Sequence, residues 1–271
     1  MSAEVLLADD ERERLVSQHA QIAALAGGLA HEIRNPLSTI SLNLELLVED
    51  VSQGDTPRDR RMLRKLHTLQ RECEHLETIL EDFLRFVRVG EIHLALVDLN
   101  DQVRKFIEFY QAEAQAAGVE ISPHLGTDLP MVLLDETLFR QALFNVARNA
   151  LQAMPKGGLL ELQTRSIDGR VHLELIDNGL GMSAETLDNL FRKVFFSTKP
   201  NGTGLGLPTV RRIVEAHGGQ ISVDSAPGRG TRVTIVLPPA TRDSVPDHTV
   251  PDHTVPNHPV SVHPESGRLV P

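Results

Sequence analysis

The 271-residue sequence is poor in sulfur and in aromatic side chains: it has one cysteine, one tyrosine and no tryptophan. Because Cys73 is alone, no intramolecular disulfide can form, and a reducing compartment suits the chain. No apolar run approaches the ~20 residues of a membrane-spanning helix. The N-terminal Met-Ser-Ala-Glu lacks the basic and apolar regions of a signal peptide. These absences favour a soluble, cytoplasmic protein without a membrane span.

Basic charge is also scarce, since the formal net charge is -10 at pH 7. An acidic chain is a poor general ligand for nucleic acids or anionic membranes, although a small basic pocket for phosphates remains compatible with it. Hydrophobic residues make up 41% of the chain, which is ordinary for a folded soluble protein. The length allows two domains.

Two N-terminal segments have the apolar spacing of long amphipathic helices. In the first, apolar residues recur at steps of three and four, at Ile22, Leu25, Leu29, Ile33, Leu37, Ile40, Leu44, Leu47 and Val51. Turn and capping residues at 52–57 then interrupt the pattern. In the second, the steps form a coiled-coil seam at Leu66, Leu69, Cys73, Leu76, Leu80, Phe83 and Val87. After a lead-in over 1–15, we expect a helical hairpin over 16–90. Because one hairpin buries little, two should pair into a dimeric four-helix bundle.

The second half has the mixed pattern of an α+β fold, over residues 91–239. Strands are predicted over 94–99, 119–121, 131–134, 159–164, 171–176, 220–225 and 231–237, and helices over 101–117, 135–154 and 208–217. Asn100 is the expected cap of the first of these helices, and Asp168-Gly169 the turn of a hairpin. Residues 240–271 carry a five-residue repeat rich in Pro and His, which predicts a disordered tail. Nothing preorganises its histidines, so we expect no metal site there.

A histidine on the first helix lies away from the apolar stripe. At 100° per residue, His31 falls about 180° from the midpoint of Leu29 and Ile33, so it should face solvent. Glu32 is adjacent to it. Pro36 cannot donate to the carbonyl of Glu32, and we expect the helix to loosen or kink just past the histidine.

Two short motifs of the second half carry polar groups that suit a nucleotide. Asn145 and Asn149 lie four apart on one predicted helix face, with Arg148 between them; an amide oxygen is a suitable hard ligand for Mg2+. Asp177 follows a strand and can accept a hydrogen bond from the exocyclic amine of adenine. Gly179 and Gly181 let the backbone approach the ring. Either motif alone is weak, since asparagine pairs on helices and Asp-Asn-Gly turns are common.

Two further motifs follow in order. Phe191, Phe195 and Lys199 suggest a mobile flap with apolar anchors and one phosphate-binding cation, although Phe191 fits ordinary core packing equally well. A glycine-rich loop then leads into a helix whose first turn suits Pro208. Its backbone N–H groups can cradle phosphates, and its members are Gly202, Thr203, Gly204, Leu205, Gly206 and Leu207. Its spacing matches neither a Walker loop nor a Rossmann loop.

Gly228-Arg229-Gly230-Thr231, most simply a hairpin turn, closes the set. Together and in this order, the motifs resemble the phospho-acceptor box and the N, G1, F, G2 and G3 boxes of two-component sensor histidine kinases. The resemblance covers roughly residues 20–238. Phe-Ser-Thr-Lys, Gly-Thr-Gly-Leu-Gly-Leu and His217-Gly218-Gly219 look most like the nitrogen-regulation branch. It implies a gyrase-type α/β sandwich that binds ATP and Mg2+, and a response-regulator receiver domain as the partner.

The resemblance also implies roles for individual residues. His31 would accept the γ-phosphoryl group and Glu32 would take or position the ring proton. Asn35, four residues on, would orient the water of a secondary phosphatase reaction. Asn149 would hold the metal ion with support from Asn145, while Asp177 would read adenine. For Arg148, contact with phosphate and simple exposure to solvent are equally compatible with the sequence.

Two other functions remain open on the sequence alone: a gyrase-type ATPase without phospho-histidine, and a dimeric scaffold that binds ATP only for shape. Only about fifteen residues precede the first long helix, which is too few for a sensor domain. We therefore expect either a separate sensor protein or a sensor that lies elsewhere.

Overall fold

A computed structural model describes residues 26, 28, 30, 32–54, 56–87, 89, 92–190, 192–193, 196–199 and 202–240. The predicted sites His31, Phe191 and Phe195 lie outside the described residues, as do the lead-in over 1–15 and the tail from residue 241. Within the described ranges, no helix has both the length and the apolar character to cross a membrane.

Two long antiparallel helices form the N-terminal part. Helix α1 is helical at each of its described residues, 26, 28, 30 and 32–52, so Pro36 does not end it. Helix α2 spans Pro57–Val87 and starts with a reciprocal cap. The Thr56 hydroxyl accepts from the backbone N–H of Asp59, and the Asp59 carboxylate accepts from that of Thr56. The hydrogen bonds from Thr56 lower the pKa of Asp59.

Two small apolar clusters hold the helices together. One comprises Leu37, Leu44, Leu66 and Cys73, and the other comprises Ala26, Ala30, Leu84 and Val87. Cys73 is therefore a buried seam residue, as predicted. Alternate seam positions remain open instead: Ile33, Ile40, Leu47, Leu69 and Leu76 are 40% to 51% exposed in the single chain. Within its described part, the hairpin thus leaves five residues of its predicted seam uncovered.

The second part is built on a five-stranded sheet of order β2-β4-β5-β7-β6. Its strands are β2 (Val119–Leu125), β4 (Gly158–Ile167), β5 (Arg170–Asp177), β6 (Gln220–Ser225) and β7 (Thr231–Leu237). The β2–β4 pair is parallel and the other pairs are antiparallel. Strands β1 (Ala95–Val97) and β3 (Val132–Leu134) form a separate antiparallel pair.

Helices α3 (Leu99–Ala116), α4 (Glu136–Ala153) and α6 (Gly206–Ala216) pack with this sheet, and the short helix α5 covers Ala184–Leu190. The alternating apolar residues of β4, β5 and β7 form one core with the three long helices. Within it, Phe106 stacks on Tyr110 and Phe144 meets both rings edge-on, with ring centroids 5.3 to 5.6 Å apart. The α/β sandwich predicted from the sequence is confirmed.

The cap of α3 differs from the sequence prediction. Asp98, rather than Asn100, caps α3, because its carboxylate accepts from the backbone N–H of Asn100. The Asn100 side chain instead joins the sheet by donating to the Gly126 carbonyl and accepting from the Thr164 hydroxyl. The β4–β5 hairpin turns at Asp168 and Gly169 as predicted, with φ of 50° and 74°.

Candidate active site

A cavity of about 480 Å³ lies between α4, the end of β5, the glycine-rich loop before α6, and α2. This volume lies within the range of small-molecule sites. Ten of the residues predicted to bind a nucleotide line it: Arg148, Asn149, Asp177, Gly181, Lys199, Gly202, Thr203, Gly204, Gly206 and Leu207. Three predicted residues do not, namely Asn145, Gly179 and Leu205. Motifs separated by up to about sixty residues therefore meet at one site.

Asp177 is a buried acid in the wall of this cavity. It ends β5, and its Oδ1 accepts from the backbone N–H groups of Gly179 at 2.9 Å and Thr231 at 3.2 Å. Burial raises the pKa of the carboxyl, while these two hydrogen bonds oppose the shift. Gly179 is therefore not a lining residue; its backbone N–H orients the Asp177 carboxylate, which can accept a hydrogen bond from a ligand amine.

Gly181 shows why this wall of the cavity needs glycine. Its φ is +67°, and a Cβ there would lie 2.0 Å from the carbonyl oxygen of Ala226. Gly230 faces the same limit, because its Cβ would overlap the carbonyl oxygen of Asp177. Backbone segments therefore meet closely beside the acid, with no room for side chains.

Helix α4 supplies the polar wall of the cavity. Lys199 Nζ donates to Gln152 Oε1 at 2.6 Å and lies 3.4 Å from Asn149 Oδ1. Burial is the largest cause that lowers the pKa of Lys199, and the nearby Arg148 adds to it. Asn145 lies one turn before Asn149 and outside the cavity lining. A cation and an amide oxygen thus face the space where an anionic ligand would lie.

The glycine-rich loop forms the opposite wall and runs directly into α6. Gly204 has a φ of +68°. Leu205 is fully buried at the N-cap position of α6, so it anchors the loop in the core instead of touching the cavity. Pro208 lies in the first turn, where a missing N–H costs nothing. The loop therefore presents its backbone at a helix N-terminus, a favourable position for phosphate.

A buried histidine ties the far ends of α4 and α6 together. His217 Nε2 accepts from the backbone N–H of Asp135 at 2.9 Å, and Nδ1 lies 2.6 Å from the Ile213 carbonyl oxygen, to which it donates. Asp135 itself caps α4. Burial lowers the pKa of His217, although Ile213 and Asp135 oppose the shift.

Helix α2 contributes two residues that sequence reasoning missed, Thr78 and Asp82. The Asp82 carboxylate accepts from the Thr203 hydroxyl at 2.7 Å and lies 3.8 Å from Arg148. No local signal marks Asp82, because acidic residues are ordinary on the polar positions of a coiled-coil helix. Its role depends on a contact between residues 121 positions apart.

The residues predicted on α1 are open to solvent: Glu32 and Asn35 are both exposed. Among the described residues, no group of three or more His, Cys, Asp and Glu side chains could hold a metal ion. Asn149 offers a single amide oxygen. That fits Mg2+, which keeps several waters and takes ligands from a substrate's phosphates more than from a protein cage.

Comparison with known protein families gives two matches along the chain. Residues 21–92 match the family described as "His Kinase A (phospho-acceptor) domain". Residues 134–241 match that described as "Histidine kinase-, DNA gyrase B-, and HSP90-like ATPase". The two matches cover the helical hairpin and most of the sheet domain, respectively.

Curated relatives are similar over most of this chain. The sensor histidine kinase ZraS of Klebsiella oxytoca is 35% identical over 228 residues, which are 84% of this chain and 47% of ZraS. Sporulation kinase D of Bacillus subtilis is 33% identical, over 80% of this chain and 42% of that protein. The chain thus spans about half the length of the curated relatives it matches.

Solved structures agree on the fold. The crystal structure of full-length ShkA in complex with AMPPNP is 31% identical with a TM-score of 0.61, covering 80% of this chain and 46% of ShkA. That of ThkA with the response regulator protein TrrA has a TM-score of 0.60 at 21% identity, covering 88% and 68%. The second likeness concerns the fold alone.

Proposed function

This chain has the phospho-acceptor and ATPase domains of the two-component histidine kinases, and we propose that it transfers the γ-phosphoryl group of ATP to His31 and then to an aspartate of a response-regulator receiver domain. The observation that carries the proposal is the single cavity in which Asp177, Asn149, Lys199 and the glycine-rich loop meet, bordered by α2 of the hairpin. The same proposal divides the chain into a hairpin domain over residues 16–90 and an ATPase domain over residues 91–239.

The cavity explains how this chain would bind ATP. The Asp177 carboxylate, held by Gly179 and Thr231, accepts from the exocyclic amine of adenine. The glycine-rich loop at the start of α6 supplies backbone N–H groups to the phosphates, and Lys199 adds a positive charge. The Asn149 amide oxygen would hold Mg2+, which neutralises phosphate charge when bound.

Transfer requires a nucleophile outside the cavity. A neutral His31 ring nitrogen would use its lone pair to attack the γ-phosphorus, and the bond to the bridging oxygen would break as ADP leaves. An unperturbed imidazole has a pKa near ~6.5, so much of it is neutral at cellular pH. Glu32, next to His31 and exposed, can take the ring proton or fix the tautomer. ATP and receiver domains are cytoplasmic, so we place this activity in the cytoplasm.

We also propose that two chains pair through their hairpins. Ile33, Ile40, Leu47, Leu69 and Leu76 alternate with the buried seam residues and are 40% to 51% exposed in one chain. A second hairpin would cover them and complete a four-helix bundle.

Among the kinase branches, the Phe-Ser-Thr-Lys segment, the glycine-rich loop and His217-Gly218-Gly219 support a place in the nitrogen-regulation branch.

Incubation with γ-labelled ATP and Mg2+ tests the kinase proposal. We expect acid-labile, alkali-stable label on the wild-type chain and none on His31→Gln. His67→Gln is the matched control, since His67 is an exposed histidine on the other helix of the same hairpin. ATP turnover without label on the protein would instead support the ATPase alternative, and binding without turnover would support the scaffold.

A secondary phosphatase activity is proposed for Asn35. Its side chain is exposed on α1, four residues after His31, where it can orient a water toward a phosphorylated receiver. A receiver that carries an acyl phosphate should lose it faster when the wild-type chain is added. Asn35→Ala should remove the acceleration while His31 still takes label. An equal rate with and without the wild-type chain would refute this activity.

A further inference from the structure

We propose that Asp82 is an internal competitor for the phosphate subsite: its carboxylate occupies an anion position that a nucleotide phosphate takes over, and nucleotide binding thereby releases the ATPase domain from α2. The inference rests on the proposed function, because it assumes a phosphate-bearing nucleotide in the cavity. It assigns to α2 a part in nucleotide binding that none of the sequence motifs indicates.

The contacts of Asp82 are those of a bound anion. Oδ2 accepts from the Thr203 hydroxyl at 2.7 Å and lies 3.8 Å from Arg148 Nη2. Oδ1 lies 3.9 Å from Arg85 Nη1 on its own helix. The side chain is 9% exposed, although its two arginine partners are 42% and 52% exposed. Hydroxyl and guanidinium groups of this kind also bind phosphate oxygens, so a nucleotide and Asp82 compete for the same donors.

The cavity position of these donors makes the competition direct. Thr203 belongs to the glycine-rich loop, and Arg148 adjoins Asn149, the proposed metal ligand. A phosphate placed between the loop and α4 would meet the Asp82 carboxylate as a like charge in a partly buried site. Like charges at short distance repel strongly there, so both anions cannot keep these positions together.

A second attachment between the domains lies outside the cavity. Arg212 of α6 donates to the carbonyl oxygens of Phe86 at 2.8 Å and Val89 at 3.5 Å. Its guanidinium carbon also lies 4.7 Å from the centroid of the Phe86 ring. No nucleotide group competes for these partners. Among the described contacts, a phosphate can therefore replace that of Asp82 with Thr203, whereas it leaves that of Arg212 with Phe86 intact.

Release of the first contact alone would let the domain turn about the second. The Asp82 contact is made close to the level at which Ala30 packs against Leu84 and Val87, that is, near the predicted phospho-acceptor turn. We call the arrangement with the Asp82 contact closed, because it holds the cavity against α2. The incoming nucleotide would break this contact and free the ATPase domain to approach His31. A protein that is closed for about nine-tenths of the time binds nucleotide about tenfold more weakly than an open one.

The test measures dissociation constants of the full chain for AMP-PNP with Mg2+ and for adenosine, which has no phosphate. Asp82→Ala should bind AMP-PNP about tenfold more tightly than wild type and adenosine with unchanged affinity. Asp82→Asn, which keeps an oxygen for Thr203 but no charge, should bind AMP-PNP more tightly than wild type as well. Glu81→Gln is the matched control, since Glu81 is an exposed acid that pairs with Arg85 and lies outside the cavity lining.

Equal AMP-PNP affinities of wild type and the two Asp82 variants would overturn the inference while leaving the kinase proposal intact. Weaker binding by Asp82→Ala would also overturn it, because the carboxylate would then assist the nucleotide. A parallel gain for adenosine would do the same, since it would point to a general opening of the pocket. If the wild-type chain does not bind AMP-PNP at all, the proposed function itself fails, and this inference with it.

Discussion

Acid should destabilise the ATPase domain through His217. Its Nε2 accepts from the Asp135 backbone N–H and its Nδ1 donates to Ile213, so the folded domain requires the neutral ring. Burial accordingly lowers the pKa of His217 below its ordinary value of about 6.5. The unfolded chain takes up a proton near pH 6.5, whereas the folded domain does so only at lower pH. Stability is therefore full above about pH 6.5 and falls as the pH decreases below it.

The size of the effect follows from one proton. Between the unfolded and the folded pKa of His217, each pH unit should remove up to about 1.4 kcal/mol of unfolding free energy. Asp135 does not obscure this window, because its pKa is already lowered from a value near 4: burial opposes that shift, but the N–H groups of Leu138, His93 and Thr137 outweigh it. Below the folded pKa of His217, its contribution should level off.

The chain contains its own reporter for this measurement. Tyr110 is the only tyrosine, the chain has no tryptophan, and the ring is buried in the core of the ATPase domain. Urea titrations followed by tyrosine fluorescence, at half-unit steps from pH 7.5 to 5, should therefore report on that domain. His217→Gln keeps an oxygen that can accept from Asp135 but does not titrate.

The variant should show a smaller slope against pH than wild type, with the two curves converging as the pH falls. Subtracting the variant removes the contributions of other titrating groups, including Asp177, whose pKa burial shifts upward. Parallel curves over the whole range would refute the reasoning, because they would show that His217 binds the same number of protons in the folded and unfolded states.

Three further predictions concern the site and the core. Gly181→Ala should abolish measurable nucleotide binding, because the new Cβ would lie 2.0 Å from the carbonyl oxygen of Ala226. Gly228→Ala is the matched control, since Gly228 has a similar φ of +73° but open space around it. It should lower the unfolding free energy by only about 1 kcal/mol in a urea titration and leave nucleotide binding intact. Asp177→Asn should weaken ATP binding by about 1.5–3 kcal/mol, measured by calorimetry, because the acceptor loses its charge. An unchanged affinity would contradict the role proposed for Asp177 with adenine. Tyr110→Phe should stabilise the domain by about 1 kcal/mol, because the buried hydroxyl has no hydrogen-bond partner within the described part of the chain. Urea titrations followed by circular dichroism measure this change. A loss of stability would show that the hydroxyl does have a partner.

Periodic patterns predicted the regular elements well. The strands at 220–225 and 231–237 have the predicted ends. Successive residues of each strand alternate between the core side and the solvent side, and a Pro-Gly turn fixes the register of the pair. Helix α4 also begins where Asp135 predicted it. By contrast, α5 is only seven residues long and has no buried side chain, so it leaves no apolar periodicity to read.

The candidate site was predictable where it is local in sequence. The motifs around Asn149, Asp177 and the glycine-rich loop meet in the cavity, because each is placed by the end of a helix or strand whose pattern is clear. Asp82 and Gln152 were missed, since neither has a local signature and each acts only through a partner brought close by the fold. Asn100 was misassigned for a related reason: both it and Asp98 suit a helix cap, and only the sheet contact of Asn100 distinguishes them.

The His217 contact joins α4 and α6 at the end of the helix pair that lies away from the cavity. α4 starts and α6 ends at this joint, whereas Asn149 and the glycine-rich loop lie at the opposite tips, beside the cavity. Between the joint and the tips, the two helices share one buried core. Asn149 is fourteen residues beyond Asp135, so at ~1.5 Å per residue the tip lies about 21 Å from the joint. Over that arm, a tilt of a few degrees moves the tip by about 1 Å. A change at the joint that tilted α4 by this amount would therefore displace Asn149 in the cavity wall, although His217 itself lies outside the cavity lining.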